Sequence, residues 1–282
     1  KENLSVVRKT KENKKYLPGI KIPESINIED EILPSLANSS CVLLCVKSTA
    51  FKKIAADLSA HMHQGQKLIW ATKGLDPDTG ETFSETIKRE LPSLNKTAII
   101  SGPTFAEEVA KGKPTAITLA SENIKQLSGL ANIMSSSSFR VYTSSDIVGV
   151  QLGGAFKNIV AIAVGASDAL SLGANARTAL ISRGLEEMKS IGVSFGAKPE
   201  TFFGLSGLGD LVLTSTDNQS RNRRLGLLIG SGISLNKAIE KLGTTPEGVY
   251  AVKALYNKQA LHEDLPIANA VYSILFEGVP AE

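Results

Sequence analysis

Histidine, cysteine and tryptophan are scarce, with three, two and one residues in a chain of 282. Few histidines and cysteines leave little from which to build a transition-metal site, and His61, His63 and His262 lie in polar segments without ligand spacing. Asp76, Asp78 and Glu81 lack the glycine position and closing glutamate of a calcium loop. No G-x-S-x-G elbow occurs either, so we expect no metal and no covalent nucleophile. Cys41 and Cys45 sit in the apolar run CVLLCV. On a strand rising about 3.3 Å per residue they are too far apart to bridge, and they read as buried small hydrophobes of a reducing, cytoplasmic compartment. Charge of one sign is also in short supply: the net charge is +3. That falls short of the basic excess of a nucleic-acid binder but suits small anionic substrates. With 42% hydrophobic and 21% charged residues, the chain is not of disordered composition. Its longest apolar stretches are strand-length, short of the roughly 20 residues that cross a bilayer. The opening KENLSVVRKTKENKK has no signal-peptide centre and no initiator methionine. We therefore expect a soluble chain, not inserted in a membrane and incomplete at its start.

What is present divides in two. LSVV (4–7), CVLLCV (41–46), KLIWATK (67–73), TAIISG (97–102) and TAITLAS (115–121) are short, apolar and partly β-branched. Between them, 49–63, 81–91, 104–112 and 123–137 have helical spacing or composition. Such alternation predicts an α/β sheet covered on both faces, with ligands at the strand ends where ATKG (71–74) and SGPTF (101–105) stand. After FRVYTSSD (139–146) the chain turns to helix-length runs: 147–169, 175–195, 220–230, 234–241, 247–261 and 266–275. Asp146 and Asp168 read as turn or cap residues, Ser234 as a cap and Gly243 as a helix stop. The composition change near 140–150 predicts two domains, 1–145 and an all-helical 146–282.

Three clusters carry candidate chemistry. In GVQLGGAFKNIVAIAVGASD (149–168), Gly154, Lys157, Asn158 and Ala161 share a helix face. Small residues there admit a flat ligand or a second helix, and a lysine buried among them loses basicity and can exchange a proton with an alcohol near neutrality. The same pattern suits tight packing with Lys157 snorkelling to water. In GLGDLVLTSTDNQSRNRR (207–224), Asp210 and Thr214 are four apart, and Ser220, Arg221 and Asn222 form a donor group suited to a phosphate. A solvated basic surface, or a nucleic-acid contact through Arg221, Arg223 and Arg224, fits RNRR equally well taken alone. Lys73 in ATKG, with the turn at Pro103 and Thr104, is the third cluster.

Together and in order, these words closely resemble bacterial NAD(P)-dependent glycerol-3-phosphate dehydrogenases. The matching segments are WATKGL, SGPTFAEEVAKGKPTA, FRVY, GVQLGGAFKNIVAIAVGASD, GANARTALISRGLEEM and GLSGLGDLVLTSTDNQSRNRR, spread from about Lys14 to Gly278. The resemblance implies a Rossmann-like first domain, incomplete here, followed by a helical substrate domain. It implies hydride exchange between NADH or NADPH and dihydroxyacetone phosphate, giving sn-glycerol 3-phosphate for phospholipid synthesis. It makes Lys157 the proton-exchanging residue, with Asp210 and Lys73 beside it. Lys73, Gly102, Thr104, Lys157, Asp210, Ser220, Arg221 and Asn222 would surround the substrate. Phe51, Lys73, Ala106, Arg221, Thr245 and Glu247 would meet the cofactor, near Val46. A homodimer is implied as well.

Two departures stand out. No G-x-G-x-x-G word opens the chain, which by the resemblance starts inside the second strand and stops short of the last helix. Lys47 stands where relatives often carry proline, and reads as a tolerated loop substitution near the cofactor phosphates. Two other readings stay open: a two-domain hydroxy-acid dehydrogenase whose Arg221 binds a carboxylate, and a catalytically silent ligand-binding protein.

Overall fold

A computed structural model describes residues 2–123, 125, 128–262 and 264–282. Its sheet contains β1 (Cys41–Leu44), β2 (Lys67–Trp70), β3 (Thr97–Ser101), β4 (Thr115–Ala120) and β5 (Phe139–Ser144), ordered as numbered. The first three are parallel, with Leu44 beside Trp70 and Trp70 beside Ile99. Strand β4 then runs antiparallel to β3, and β5 parallel to β4. The reversal brings the start of β4 close to the chain just past the end of β3, which leaves no room for a side chain at Gly102. Its φ is +156°, and a Cβ there would lie 3.0 Å from the Cα of Ile117.

The opening segment departs from expectation. LSVV is not a strand but part of helix α1 (Glu2–Thr10). As a strand it would put apolar groups on both faces. As a helix it sets Leu4 and Val7 one turn apart, with Val7 buried, and frees the basic last turn to bond outward. Arg8 pairs with Asp30 at 2.9 Å and donates to the Ile28 carbonyl, while Lys11 donates to that of Ile26. Helix α2 (Ile32–Ala37) was not expected either.

On one sheet face α3 (Ser48–Ser59) and α4 (Phe83–Glu90) bury Phe51, Leu58, Phe83 and Ile87 against Leu44, Leu68 and Trp70. Thr82 and Glu85 close a reciprocal cap at the start of α4. The other face packs Ile69, Ala98 and Leu119 against Leu130 and Ala131 of α6 (Ser128–Met134), while α5 (Ala106–Ala110) follows the β3 turn. Residues 124, 126 and 127 of the helix expected over 123–137 lie outside the described residues. Cys45 is exposed and Cys41 half-buried, contrary to their reading as buried hydrophobes. Strand β1 is the edge of the described sheet, and Cys45 lies just past its end.

Helices account for the rest: α7 (Ile147–Ala169), α8 (Gly173–Ser194), α9 (Asp210–Thr216), α10 (Arg221–Gly230), α11 (Leu235–Leu242), α12 (Glu247–Asn257) and α13 (Pro266–Tyr272). Asp146 caps α7, accepting from Gly149 N–H at 2.9 Å, and its other oxygen takes Lys198 N–H and Thr201 Oγ1. Asp168 is instead an ion-pair residue inside the last turn of α7. Ser234 sits at the start of α11 without a capping bond, while Gly243 ends that helix at φ 68° as expected. Helix α7 is buried along almost its whole length and forms the axis of the helical core, while Ile147 and Val150 at its start reach the sheet core. It is long and apolar enough to cross a bilayer, contrary to the expectation of strand-length runs, but 89% of its most apolar window is inside the fold.

Candidate active site

The helical half meets the sheet where β2 and β3 end, and glycines on α7 set how closely. A Cβ at Gly154 would lie 3.1 Å from Ser101 Oγ and 3.4 Å from Lys73 Cγ, and one at Gly153 would lie 2.6 Å from the Ser206 carbonyl. The strand ends thus lie against one side of α7 and the π-turn Leu205–Gly209 against another. That turn delivers Asp210 as the first residue of α9, with Thr214 one turn further along.

Asp210 is the centre of the constellation. Lys157 Nζ donates to its Oδ1 at 2.5 Å, and Lys73 Nζ to its Oδ2 at 2.6 Å. Lys157 also donates to Thr214 Oγ1 at 2.8 Å, and Lys73 to the Gly102 carbonyl at 3.0 Å. Lys157 is only 6% exposed and does not snorkel to water. Burial lowers its pKa to about 7; Asp210 opposes that fall and Lys73 reinforces it. Burial works against ionisation of Asp210 too, but the two ammonium groups outweigh it and hold its carboxyl below the usual range. The site therefore holds an ionised carboxylate between two lysines, one of which can gain or lose a proton near neutrality.

Beside it runs a chain of amides. Asn222 Nδ2 donates to Asn158 Oδ1 at 2.8 Å, Asn222 Oδ1 accepts from Gly248 N–H at 2.8 Å, and Asn158 Nδ2 donates to the Gly154 carbonyl at 3.2 Å. Ser220 caps α10, its hydroxyl accepting from Arg223 N–H. Arg221 is exposed in the first turn of α10 and lines a cleft of about 800 Å3 with Thr104, Ala106, Lys15 and Arg224. Thr104 Oγ1 donates to the Gly102 carbonyl at 3.2 Å.

Of the residues singled out from the sequence, Lys73, Gly102, Lys157 and Asp210 are thus joined by direct bonds. Thr104, Ala106 and Arg221 line the adjoining cleft, while Ser220 and Asn222, on either side of Arg221 in the chain, are buried and outside its lining. Phe51 is not brought to the cleft: it is wholly buried, stacked on Phe83 at 4.1 Å and edge-on to Trp70. Glu247 begins α12 and accepts from Ser48 N–H at 3.4 Å, and Thr245 is half-buried beside it. Lys47 Nζ reaches Thr244 Oγ1 at 3.3 Å. Ser48 and Ser101 were not singled out; the available signal was a small polar residue at the end of each apolar strand.

Three of the buried polar atoms without partners lie near the strand ends. Ser101 Oγ is buried and unpaired, in the lining of an apolar cavity of about 320 Å3 shared with Ala71, Lys73, Thr104 and Ala106. Ser48 Oγ and Glu247 Oε2 are likewise buried and unpaired, and a Cβ at Gly74 would come within 3.7 Å of that carboxylate oxygen. An apolar slot with one free hydroxyl suits a nicotinamide ring, and the carboxyl ends of parallel strands are where dinucleotides bind.

A sheet whose strand ends face a buried Lys–Asp–Lys cluster, with an exposed arginine alongside, fits the class of nicotinamide-dependent dehydrogenases. Profiles described as the N-terminus and C-terminus of NAD-dependent glycerol-3-phosphate dehydrogenase match residues 1–127 and 146–282. The glycerol-3-phosphate dehydrogenase (NAD(P)+) of Mannheimia succiniciproducens is 45% identical over 276 residues, 96% of this chain and 82% of the relative. That of Pseudoalteromonas translucida is 44% identical over 279 residues, 98% of this chain and 83% of its own. The crystal structure of glycerol-3-phosphate dehydrogenase from Coxiella burnetii has a TM-score of 0.94 at 39% identity, covering 99% of this chain and 86% of that one. The chain belongs to the NAD-dependent glycerol-3-phosphate dehydrogenase family and is an NAD(P)-dependent oxidoreductase. Neither the hydroxy-acid dehydrogenase nor the silent binding protein is favoured by these relatives.

Proposed function

We propose that the Lys157–Asp210–Lys73 cluster moves the proton while the chain interconverts dihydroxyacetone phosphate and sn-glycerol 3-phosphate. The activity is that of the family, reversible hydride transfer with NADH or NADPH. The observation that carries the mechanism is Lys157, buried beside an ionised carboxylate with a pKa near 7. In reduction its ammonium gives a proton to the oxygen of the substrate carbonyl; in oxidation its neutral amine takes that proton back. Asp210 aims the lysine and, with Lys73, keeps the local charge balanced. Arg221 and Asn222 take the phosphate, so that binding energy from the unreactive end orients the reacting carbon. The nicotinamide, when bound, supplies or accepts the hydride. Lys73, Ser101 and Ala106 would border its ring, and Glu247 and Thr245 its further side.

Several finer readings accompany this one. The chain divides into a dinucleotide domain, 1–145, and a substrate domain, 146–282. It acts in the cytoplasm, supplying the backbone of phospholipids, and works as a homodimer.

The test is loss of NADH or NADPH absorbance with dihydroxyacetone phosphate, for the intact chain and Lys157→Ala. We expect turnover to fall by about 10²–10⁴-fold in the variant, the usual worth of a general acid. Equal turnover in both would remove Lys157 from the mechanism.

A further inference from the structure

Asp168 takes no part in the chemistry described, yet it is one of the most heavily bonded carboxylates in the chain. It stands about three turns past Lys157 on α7, about 16 Å further along at about 1.5 Å per residue. Its side chain is buried and meets two guanidinium groups. Arg177 of α8 reaches Oδ1 through both Nε and Nη2 at 2.9 Å. Arg223 of α10 donates to Oδ2 from Nη1.

The other described bonds of Arg223, from Nη1, Nε and the backbone N–H, go to the stretch 215–220. Nη1 reaches the carbonyl of Ser215 in the last turn of α9 at 3.2 Å. Nε reaches Asn218 Oδ1 at 3.0 Å, and the backbone N–H reaches Ser220 Oγ at 3.2 Å. One residue therefore ties down the end of α9, the middle of the connection and the cap of α10. The helix bearing it has no room to slide. A Cβ at Gly165 would lie 2.2 Å from the Arg223 carbonyl, and one at Gly226 would lie 2.0 Å from that of Ile162. The two residues flanked by this anchorage are Arg221 and Asn222.

We propose that Arg223, held by Asp168, is a positioning residue for the substrate. It sets the 217–222 segment so that Arg221 and Asn222 meet the phosphate while Lys157 meets the reacting oxygen. This rests on the assignment of Arg221 and Asn222 to the phosphate. Helix α7 carries the proton-transfer group near its middle and the anchor of the phosphate grip in its last turn. The separation of the two is fixed by a single rigid element. A planar fork is required, because a lysine at 223 keeps the charge but cannot reach the carboxylate, the carbonyl and the amide together.

Arg177 provides an internal control, since it shares Asp168 but bonds no residue of the loop among the described contacts. Reduction of dihydroxyacetone phosphate is measured for the wild type and for Arg223→Lys, Asp168→Asn, Asn218→Ala and Arg177→Lys. Hydrogen exchange of residues 215–222 is followed alongside. We expect KM for dihydroxyacetone phosphate to rise about tenfold or more in Arg223→Lys and Asp168→Asn, and a fewfold in Asn218→Ala, in keeping with lost charge-assisted bonds. In all three, kcat stays within about threefold and keeps its inflection near pH 7, while Arg177→Lys leaves KM within about twofold. Exchange of 215–222 quickens in Arg223→Lys. An unchanged KM in Arg223→Lys, or an equal rise in Arg177→Lys, overturns the proposal. If Arg223→Lys does not fold, an unchanged KM in Asn218→Ala does the same. An inactive wild type would instead refute the parent reading, and unaltered exchange in the loop would still refute this one.

Discussion

Replacing Asp210 with asparagine keeps the size of the side chain but removes the charge that both lysines share. Asp210 raises the Lys157 pKa, and burial with Lys73 lowers it, the balance falling at about 7. Taking the carboxylate away leaves only the lowering influences, so the value must move further down. At an effective dielectric of about 20, unit charges about 4 Å apart interact by about 4 kcal/mol, equivalent to about three pH units. The asparagine carbonyl still accepts a hydrogen bond and the two lysines relax apart, so a fall of at least about one unit is the conservative expectation. In the proposed mechanism reduction needs protonated Lys157, so its kcat should fall as pH rises through the lysine pKa. A fall of one unit cuts the protonated fraction at pH 7 from about a half to about a tenth. The assay is kcat for NADH-dependent reduction of dihydroxyacetone phosphate between pH 5 and 9, with circular dichroism to confirm folding. Oxidation of sn-glycerol 3-phosphate, which needs the neutral amine, should keep its dependence on pH but with the inflection displaced to acid. An inflection that stays near 7, or moves up, in a folded Asp210→Asn protein would refute the electrostatic account of Lys157.

Arg221→Ala should raise KM for dihydroxyacetone phosphate by about 10–100-fold, the worth of about 1.5–3 kcal/mol of charged hydrogen bonding, with kcat changed less; steady-state kinetics decides. Gly226→Ala forces a methyl group against the Ile162 carbonyl and should lower stability by about 1–3 kcal/mol, read as an earlier urea midpoint at unchanged slope. Glu187→Ala strips α13 of the carboxylate that accepts from Ile267 N–H at 2.8 Å and Ala268 N–H at 3.1 Å. It should cost about 1–3 kcal/mol without altering KM, and a thermal midpoint equal to wild type would contradict this. Burial disfavours ionised Asp168, but the two arginines prevail and depress its pKa. A depressed carboxylate stabilises the fold above its unfolded pKa and loses that contribution as pH falls through the folded value. Asp168→Asn should therefore flatten the acid limb of the stability curve, which denaturation between pH 2 and 5 would reveal.

Much of this was legible in residue order. Strands β1 to β4 were found because short β-branched runs bounded by polar turns have few other uses, and α7, α8 and α10 to α13 because their apolar spacing is helical; α9, a seven-residue helix following a π-turn, was too short to show such spacing. The antiparallel return of β4 was not legible, since direction within a sheet leaves no mark on a strand's own residues. LSVV misled because β-branched composition outweighed the basic residues that follow, whose bonds to the 26–30 segment favour a helix. Cys45 misled because an apolar neighbourhood in sequence says nothing of a strand's place at the edge. At the site, the small-residue face of α7 left a buried and a snorkelling Lys157 both open, and the fold buries it. Asp210, 53 residues away, was put beside it by the resemblance alone; spacing could not give the bond, which depends on the π-turn before α9. Phe51 shows the opposite limit, an aromatic next to the strand end that turns inward to the core.

Helix α7 also poses a sorting problem. With a mean hydropathy of 1.7 over its best window, it would pass for a membrane span to any cellular machinery that gauges a nascent segment by greasiness alone. It is made before α8–α13, the helices that will cover it. Lys157 weighs against that misreading, since a lysine at the middle of an inserted helix costs about 2.5–3.5 kcal/mol on translocon scales. The side chain proposed to handle the proton in the folded enzyme would thus also weigh against insertion of the unfinished chain.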